Sequence, residues 1–215
     1  MDEYLSEKEQ VERIRAWLKE NLAWIVGGLV IGIGGISGMN YMQARKLSIA
    51  EAASAEYSAL RDSLAAGSME AAQGHLQTLV SDYKGTPYLD QARLALASAA
   101  LEEGDPDSAE VYLRAALEGT SDPDLRRVVR LRLARVLIAT DRADEAIETL
   151  ALRDAGVFAG AYHALRGDVF AARGETKAAR EEYEAALEAG RAESVDTATL
   201  ERKLAALPAE SSDAS

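Results

Sequence analysis

Cysteine is absent from this sequence, and proline, phenylalanine, tryptophan and histidine are scarce. Each scarcity closes off a class of protein. Without cysteine there is no disulfide framework, thiolate zinc site, iron–sulfur cluster or cysteine nucleophile. That composition suits an oxidising compartment without requiring one. The two histidines, His75 and His163, lie 88 positions apart, outside any recognisable catalytic motif, and read as ordinary helix residues. The carboxylate pairs Glu102-Glu103 and Glu181-Glu182 are adjacent in sequence, so a helix turns each partner away from the other, and they read as solvated surface. The sequence therefore predicts no catalytic residue, no cofactor and no metal ligand, and a protein that is not an enzyme.

Four prolines and two phenylalanines against an abundance of Ala, Leu, Glu and Arg favour helix over sheet, so the expected fold class is all-α. The net charge of −12 is unevenly placed. Residues 1–46 carry six Lys/Arg and six Asp/Glu, which leaves 18 against 30 in the remainder. An acidic domain without a basic stripe is repelled by phosphate backbones, so no nucleic-acid partner is expected.

The segment Leu22 to Met42 reads LAWIVGGLVIGIGGISGMNYM, carries no charge and is long enough for a helix to span hydrocarbon roughly 30 Å thick. Trp24 and Tyr41 stand near its ends, with Lys19 before it and Arg45 and Lys46 after it, as interfacial anchors do. A cleaved signal peptide has a shorter apolar core and small residues before the cut, and this segment ends in Asn40-Tyr41-Met42-Gln43. An uncleaved transmembrane helix over residues 22–42 is expected. Val11, Ile14, Trp17, Leu18 and Leu22 recur at helical spacing, so residues 1–21 read as an amphipathic, cytoplasmic lead-in. Lys8, Arg13, Arg15 and Lys19 outweigh Arg45, Lys46 and Arg61, a modest bias to an inward N-terminus and an outward bulk domain.

Within the span, Gly28 with Gly32 and Gly34 with Gly38 have the GxxxG spacing that admits a second helix closely. Glycine is also simply commoner in membrane helices, and the residues leave both readings open. The same glycines imitate a dinucleotide loop, with Gly38 one place late and no strand before them.

Beyond Gln43, helix follows helix with breaks at a fixed period. Gly67, Gly104, Asp141 and Gly174, spaced 37, 37 and 33 apart, are each followed five residues later by Ala72, Ala109, Ala146 and Ala179. A helix–turn–helix unit of about 34 residues with a small residue early in its second helix is the tetratricopeptide-repeat (TPR) pattern. The alanine is needed where paired helices cross closely. The clearest units are Asp90–Ser121 and Ala161–Gly190, the latter with Gly167, Ala179, Tyr183 and Ala186 at small, small, aromatic and small positions. The unit Arg127–Arg153 has Arg153 where the last small residue belongs, so its second helix should be short. In the first unit, Ala53–Thr86, Leu60 replaces the first small residue. A TPR-like domain over residues 43–207 is expected, capped by a helix Val195–Leu207 and followed by a disordered tail, 208–215.

The stretches Asp82-Tyr83-Lys84-Gly85-Thr86-Pro87-Tyr88, Gln91-Ala92-Arg93-Leu94-Ala95-Leu96-Ala97, Arg130-Leu131-Arg132-Leu133-Ala134-Arg135-Val136-Leu137 and Leu165-Arg166-Gly167-Asp168 resemble the YfgM family, also described as ancillary SecYEG translocon subunits. Gln10-Val11-Glu12 matches that family's N-terminal segment. The resemblance covers nearly the whole chain except the tail. It implies a single-pass protein of the cell inner membrane, with a periplasmic TPR domain, beside the SecYEG translocon and in company with a membrane-anchored periplasmic chaperone of the prolyl-isomerase class.

Function should reside in the groove lined by outward positions of each first helix: Leu94, Ser98, Glu102, Leu131, Arg135, Ala139 and Asp168. The leucines read as packing against the next repeat, which leaves Ser98, Glu102, Arg135 and Asp168 as candidate contacts. The leading expectation is a non-catalytic adaptor that binds partner proteins, secreted client chains among them. The alternative is a TPR regulator that sequesters a signalling or envelope-stress factor.

Overall fold

The computed structural model describes residues 7–151, 155–190 and 196–208. The expected tail beyond Pro208, Arg153, and Val195 at the start of the expected cap lie outside them. All regular structure among these residues is helical: α1 Glu7–Ala65, α2 Met69–Asp82, α3 Pro87–Glu102, α4 Pro106–Gly119, α5 Pro123–Ala139, α6 Ala143–Thr149, a 3-10 turn Gly156–Phe158, α7 Ala159–Ala172, α8 Thr176–Gly190 and α9 Thr197–Ala206.

The scarce prolines have a positional purpose. Three of the four, Pro87, Pro106 and Pro123, open α3, α4 and α5, where a missing N–H is not needed and the fixed φ already suits the helix. Asp105 and Asp122 cap two of these starts, with Asp105 Oδ1 accepting from the Ser108 N–H at 3.0 Å and Asp122 Oδ1 from the Asp124 N–H at 2.8 Å. Asp196 caps α9 in the same way through the Thr199 N–H.

Two compact units divide the chain, residues 1–52 and 53–215. In the first, α1 runs without a break from Glu7 through the described part of the expected lead-in and through the span. It is long and apolar enough to cross a membrane, and none of its most apolar stretch is buried. Trp24 and Ile31 are 83% and 77% exposed, and a Cβ added at Gly28, Gly32, Gly34 or Gly38 would meet nothing within 4 Å.

The second unit is a run of helical hairpins. The turn inside each hairpin places one residue in the left-handed region: Gly67 (φ 72°), Gly104 (78°), Asp141 (58°) and Gly174 (74°), the same four positions the sequence period marks. In each case the next residue's N–H reaches the carbonyl five residues back, as in Ser68 to Ser63, Asp105 to Ala100, Arg142 to Leu137 and Glu175 to Phe170, at 2.8–2.9 Å. Those bonds close four Schellman ends and turn the chain sharply into the next helix. Ala72, Ala109, Ala146 and Ala179 are fully buried at the crossings that follow.

Side chains set how closely each pair approaches. In α7/α8 a Cβ on Gly167 would stand 2.5 Å from the Tyr183 ring, so only glycine lets the ring lie against the helix backbone. Buried Leu60 fills the first hairpin beside Ala53, Ala72 and Leu79. The third hairpin is the short one expected, since α6 is only seven residues long. The core continues through Leu113, Val129, Leu133, Leu137, Leu150, Tyr162 and Val169, and ends where Leu200 of α9 covers Ala179, Tyr183 and Ala186.

Polar groups then lock neighbouring helices. Glu110 of α4 accepts from both Arg114 and Arg142, and Arg142 also pairs with Glu145, so four residues staple α4 to α6. The Tyr162 hydroxyl donates to the Arg127 carbonyl at 2.9 Å, joining α7 to α5, and burial pushes its pKa up to about 12. Arg126 closes the C-terminal end of α4 by donating to the Thr120 carbonyl at 2.6 Å.

Gly167→Ala is expected to lower stability by about 1–3 kcal/mol through overpacking against Tyr183, whereas Gly74→Ala, mid-helix in open space, should be neutral or stabilise by about 0.5–1 kcal/mol. Urea denaturation of both variants measures this, and equal shifts would contradict the close crossing.

The staple predicts a pH dependence. Hydrogen bonding from Arg142, with Arg114 adding to it, holds the Glu110 carboxyl below its ordinary value of 4.5 against a smaller opposing effect of burial. A carboxyl lowered in the folded state contributes stability above its unfolded pKa and loses that contribution as pH falls through the folded value. Glu110→Gln should therefore melt below the parent at pH 7. The two melting curves should converge between about pH 5 and pH 3; a gap that persists in acid would exclude the ion pairs as its cause.

Candidate interaction groove

The helix register brings one wall from α3 and one from α5. Leu94, Ser98 and Leu101 follow one another along α3 at spacings of four and three, and Arg132, Arg135, Val136 and Ala139 share one face of α5, with Ala97 of α3 and Leu113 of α4 beneath. Together they line a hollow of about 390 Å³. Ala97, Leu113 and Val136 belong to the buried core, while Leu101 stays 46% exposed. The floor is apolar and the polar groups stand at the rim.

Of the residues anticipated, Ser98, Arg135, Leu94 and Ala139 line this hollow. Leu131 is buried among core side chains, as the packing reading held, and Leu94 is half-buried against the same cluster. Glu102 is exposed at the end of α3 and does not line the hollow.

Asp168 lies in a neighbouring hollow between α5, α7 and α9, which shares Arg135 with the first. Its carboxylate is already engaged. Lys203 of α9 donates to both oxygens at 2.6 and 2.8 Å, and the Tyr183 hydroxyl donates to Oδ1 at 2.8 Å. The Lys203 ammonium also stands 5.9 Å from the Tyr183 ring centre. Burial and the adjoining carboxylate push the Tyr183 hydroxyl pKa up. Asp168 thus fastens the capping helix to the last hairpin.

Arg132 and Leu101 were not anticipated. The signal for Arg132 was available in the sequence: α5 carries five arginines and one aspartate inside an otherwise acidic domain. The two histidines are each taken up by a carboxylate across a hairpin, His75 by Glu56 at 2.8 Å and His163 by Glu182 at 2.7 Å. No group of three or more His, Cys, Asp or Glu able to hold a metal occurs among the described residues. The arrangement is chemically one of complementarity, an apolar trough with cationic rim, with no nucleophile and base placed together in it.

A family model described as a tetratricopeptide repeat-like domain matches residues 15–209. The ancillary SecYEG translocon subunit of Escherichia coli (strain K12) is 29% identical over 168 residues, 78% of this chain and 81% of the relative. Relatives of the same description from Haemophilus influenzae and Aggregatibacter actinomycetemcomitans are 30% and 32% identical over 165 residues, 77% of this chain and 80% of each relative. The match begins before the apolar segment and runs through the cap, so helix and hairpins are shared as one unit of descent, and the chain belongs to the tetratricopeptide repeat-like family of ancillary SecYEG translocon subunits, the YfgM family.

Proposed function

We propose that this protein is a membrane-anchored, non-catalytic adaptor of the Sec translocon, holding partner proteins through its helical-hairpin domain. The observation that carries this reading is the pairing, in one chain, of a helix whose apolar stretch is exposed with a separately cored hairpin domain that bears an apolar groove. Large apolar side chains of α1 from Leu22 to Met42 are exposed among the described residues, and lipid is the solvent that would remove them from water. The domain beyond Ala53 has its own buried core and needs no lipid.

Residues 1–21 would then lie on the cytoplasmic side, residues 22–42 in the inner membrane and the hairpins in the periplasm, the orientation that Lys8, Arg13, Arg15 and Lys19 favour. The open faces at Gly28/Gly32 and Gly34/Gly38 offer places where a helix of SecYEG, or of a membrane-anchored chaperone of the prolyl-isomerase class, could approach the backbone. Emerging secreted chains are the clients the groove would meet there. Work in such a device is done by binding energy, through apolar anchors ringed by polar contacts. Sequestration of a signalling or envelope-stress factor is the second reading, and nothing in the geometry favours it.

The test is the company the full-length chain keeps and the side its domain occupies. Isolated by an affinity tag from gently solubilised membranes, it should carry SecYEG with it. Protease added outside intact inner-membrane spheroplasts should digest the domain. A protected, cytoplasmic domain, or a preparation free of SecYEG at normal expression, would overturn the reading.

A further inference from the structure

The charge of the hairpin domain is not spread evenly among its helices. Residues 47–215 carry 18 Lys/Arg against 30 Asp/Glu, yet α5 alone has five arginines and one aspartate. Three of the five are accounted for by packing. Arg126 caps α4 through the Thr120 carbonyl, Arg127 pairs with Asp124 at 2.6 Å, and Arg130 is half-buried, its Nε out of solvent without a hydrogen-bond partner among the described residues.

Arg132 and Arg135 differ from these. Both are exposed, both line the hollow, and neither has a hydrogen-bond or ion-pair partner among the described residues. Three positions apart on a helix, they sit on neighbouring turns of one face. A guanidinium is weakly hydrated, planar and able to hold a carboxylate with two parallel bonds, so it tolerates an apolar wall better than an ammonium does. Here the walls are Leu94, Leu101, Leu113 and Val136.

We propose that the groove between α3 and α5 binds an acidic-apolar polypeptide segment, with a large aliphatic or aromatic side chain seated on Leu94, Leu101, Leu113 and Val136 and a neighbouring carboxylate paired to Arg132 and Arg135. This rests on the adaptor reading above and names the chemistry of the partner that reading leaves open. Charge complementarity selects the occupant. The acidic remainder of the domain repels an anionic segment from other faces and leaves this groove as the place where carboxylate and apolar side chain are both accommodated. Its volume of about 390 Å³ matches a few side chains of an extended or helical segment, not a folded domain.

The experiment uses the full chain in nanodiscs of zwitterionic lipid and three labelled peptides of equal length, built from Leu with Glu, Leu with Gln, and Ser with Glu. Fluorescence anisotropy should show the Leu/Glu peptide binding about tenfold or more tightly than either of the others. Combined Arg132→Gln and Arg135→Gln should remove that advantage with the melting temperature unchanged, since both side chains are exposed. Arg132→Glu with Arg135→Glu should move the preference to a Leu/Lys peptide.

Equal binding of the Leu/Glu and Leu/Gln peptides, no binding of any, or an undiminished preference in the double glutamine variant would each overturn the proposal. So would a change in the oligomeric state of the double variant without peptide, which would make a second copy of the chain the occupant. Affinity isolation of SecYEG with the same preparations keeps the two readings apart. Peptide failure with SecYEG retained removes only the groove assignment, while a parent chain that never retains SecYEG removes the adaptor reading.

Discussion

Close crossing of paired helices is the constraint on which the hairpin domain depends. Two helices can bring their backbones together only where one presents a side chain no larger than a methyl group, and Ala72, Ala109, Ala146 and Ala179 supply it in successive hairpins, all fully buried. The left-handed residue five positions earlier fixes when the chain turns, so crossing and turn are one device repeated. Everything that faces outward, the groove included, inherits its spacing from this repeat.

Because the repeat is both local and periodic, it was legible in the sequence. The turn residues could be named because glycine, or an aspartate in its stead, is what a left-handed C-terminal position accepts. The apolar span was legible for a different reason: a run from Leu22 to Met42 without a charge has few structural explanations. Less legible was anything that depends on which side chains meet across hairpins. Asp168 had the position of a groove residue, yet Lys203, 35 residues away in the capping helix, satisfies it. No local pattern announces that pairing. Glu102 likewise follows the α3 register, but it falls at the helix end and outside the hollow. Arg132 was missed because one helix was averaged into the charge of a whole acidic domain.

The two halves of the chain solve opposite solvation problems. Along residues 22–42 of α1 the exposed large side chains are Trp, Ile, Val, Leu, Met and Tyr, which a surrounding other than water would accommodate. In the hairpins the exposed residues are charged, ion pairs such as the Glu110–Arg142 staple join successive pairs, and apolar exposure narrows to few places, of which Leu101 beside the groove is one. Under the proposed anchoring, a tether of this kind would confine the domain near the membrane. Such confinement would raise the effective concentration of the groove for the proposed clients, so modest affinity per contact would suffice.

The central claim is that partners are held in the groove between α3 and α5 and not by the outer helix faces. A photo-crosslinking amino acid placed at Ser98 samples the groove, whereas one at Val111, 65% exposed on α4 and about 200° around that helix from the groove-lining Leu113, samples the outer face. Irradiated in intact membranes, the full-length chain should yield protein adducts from position 98 well in excess of those from position 111. Equal yields, or adducts only from position 111, would contradict the account.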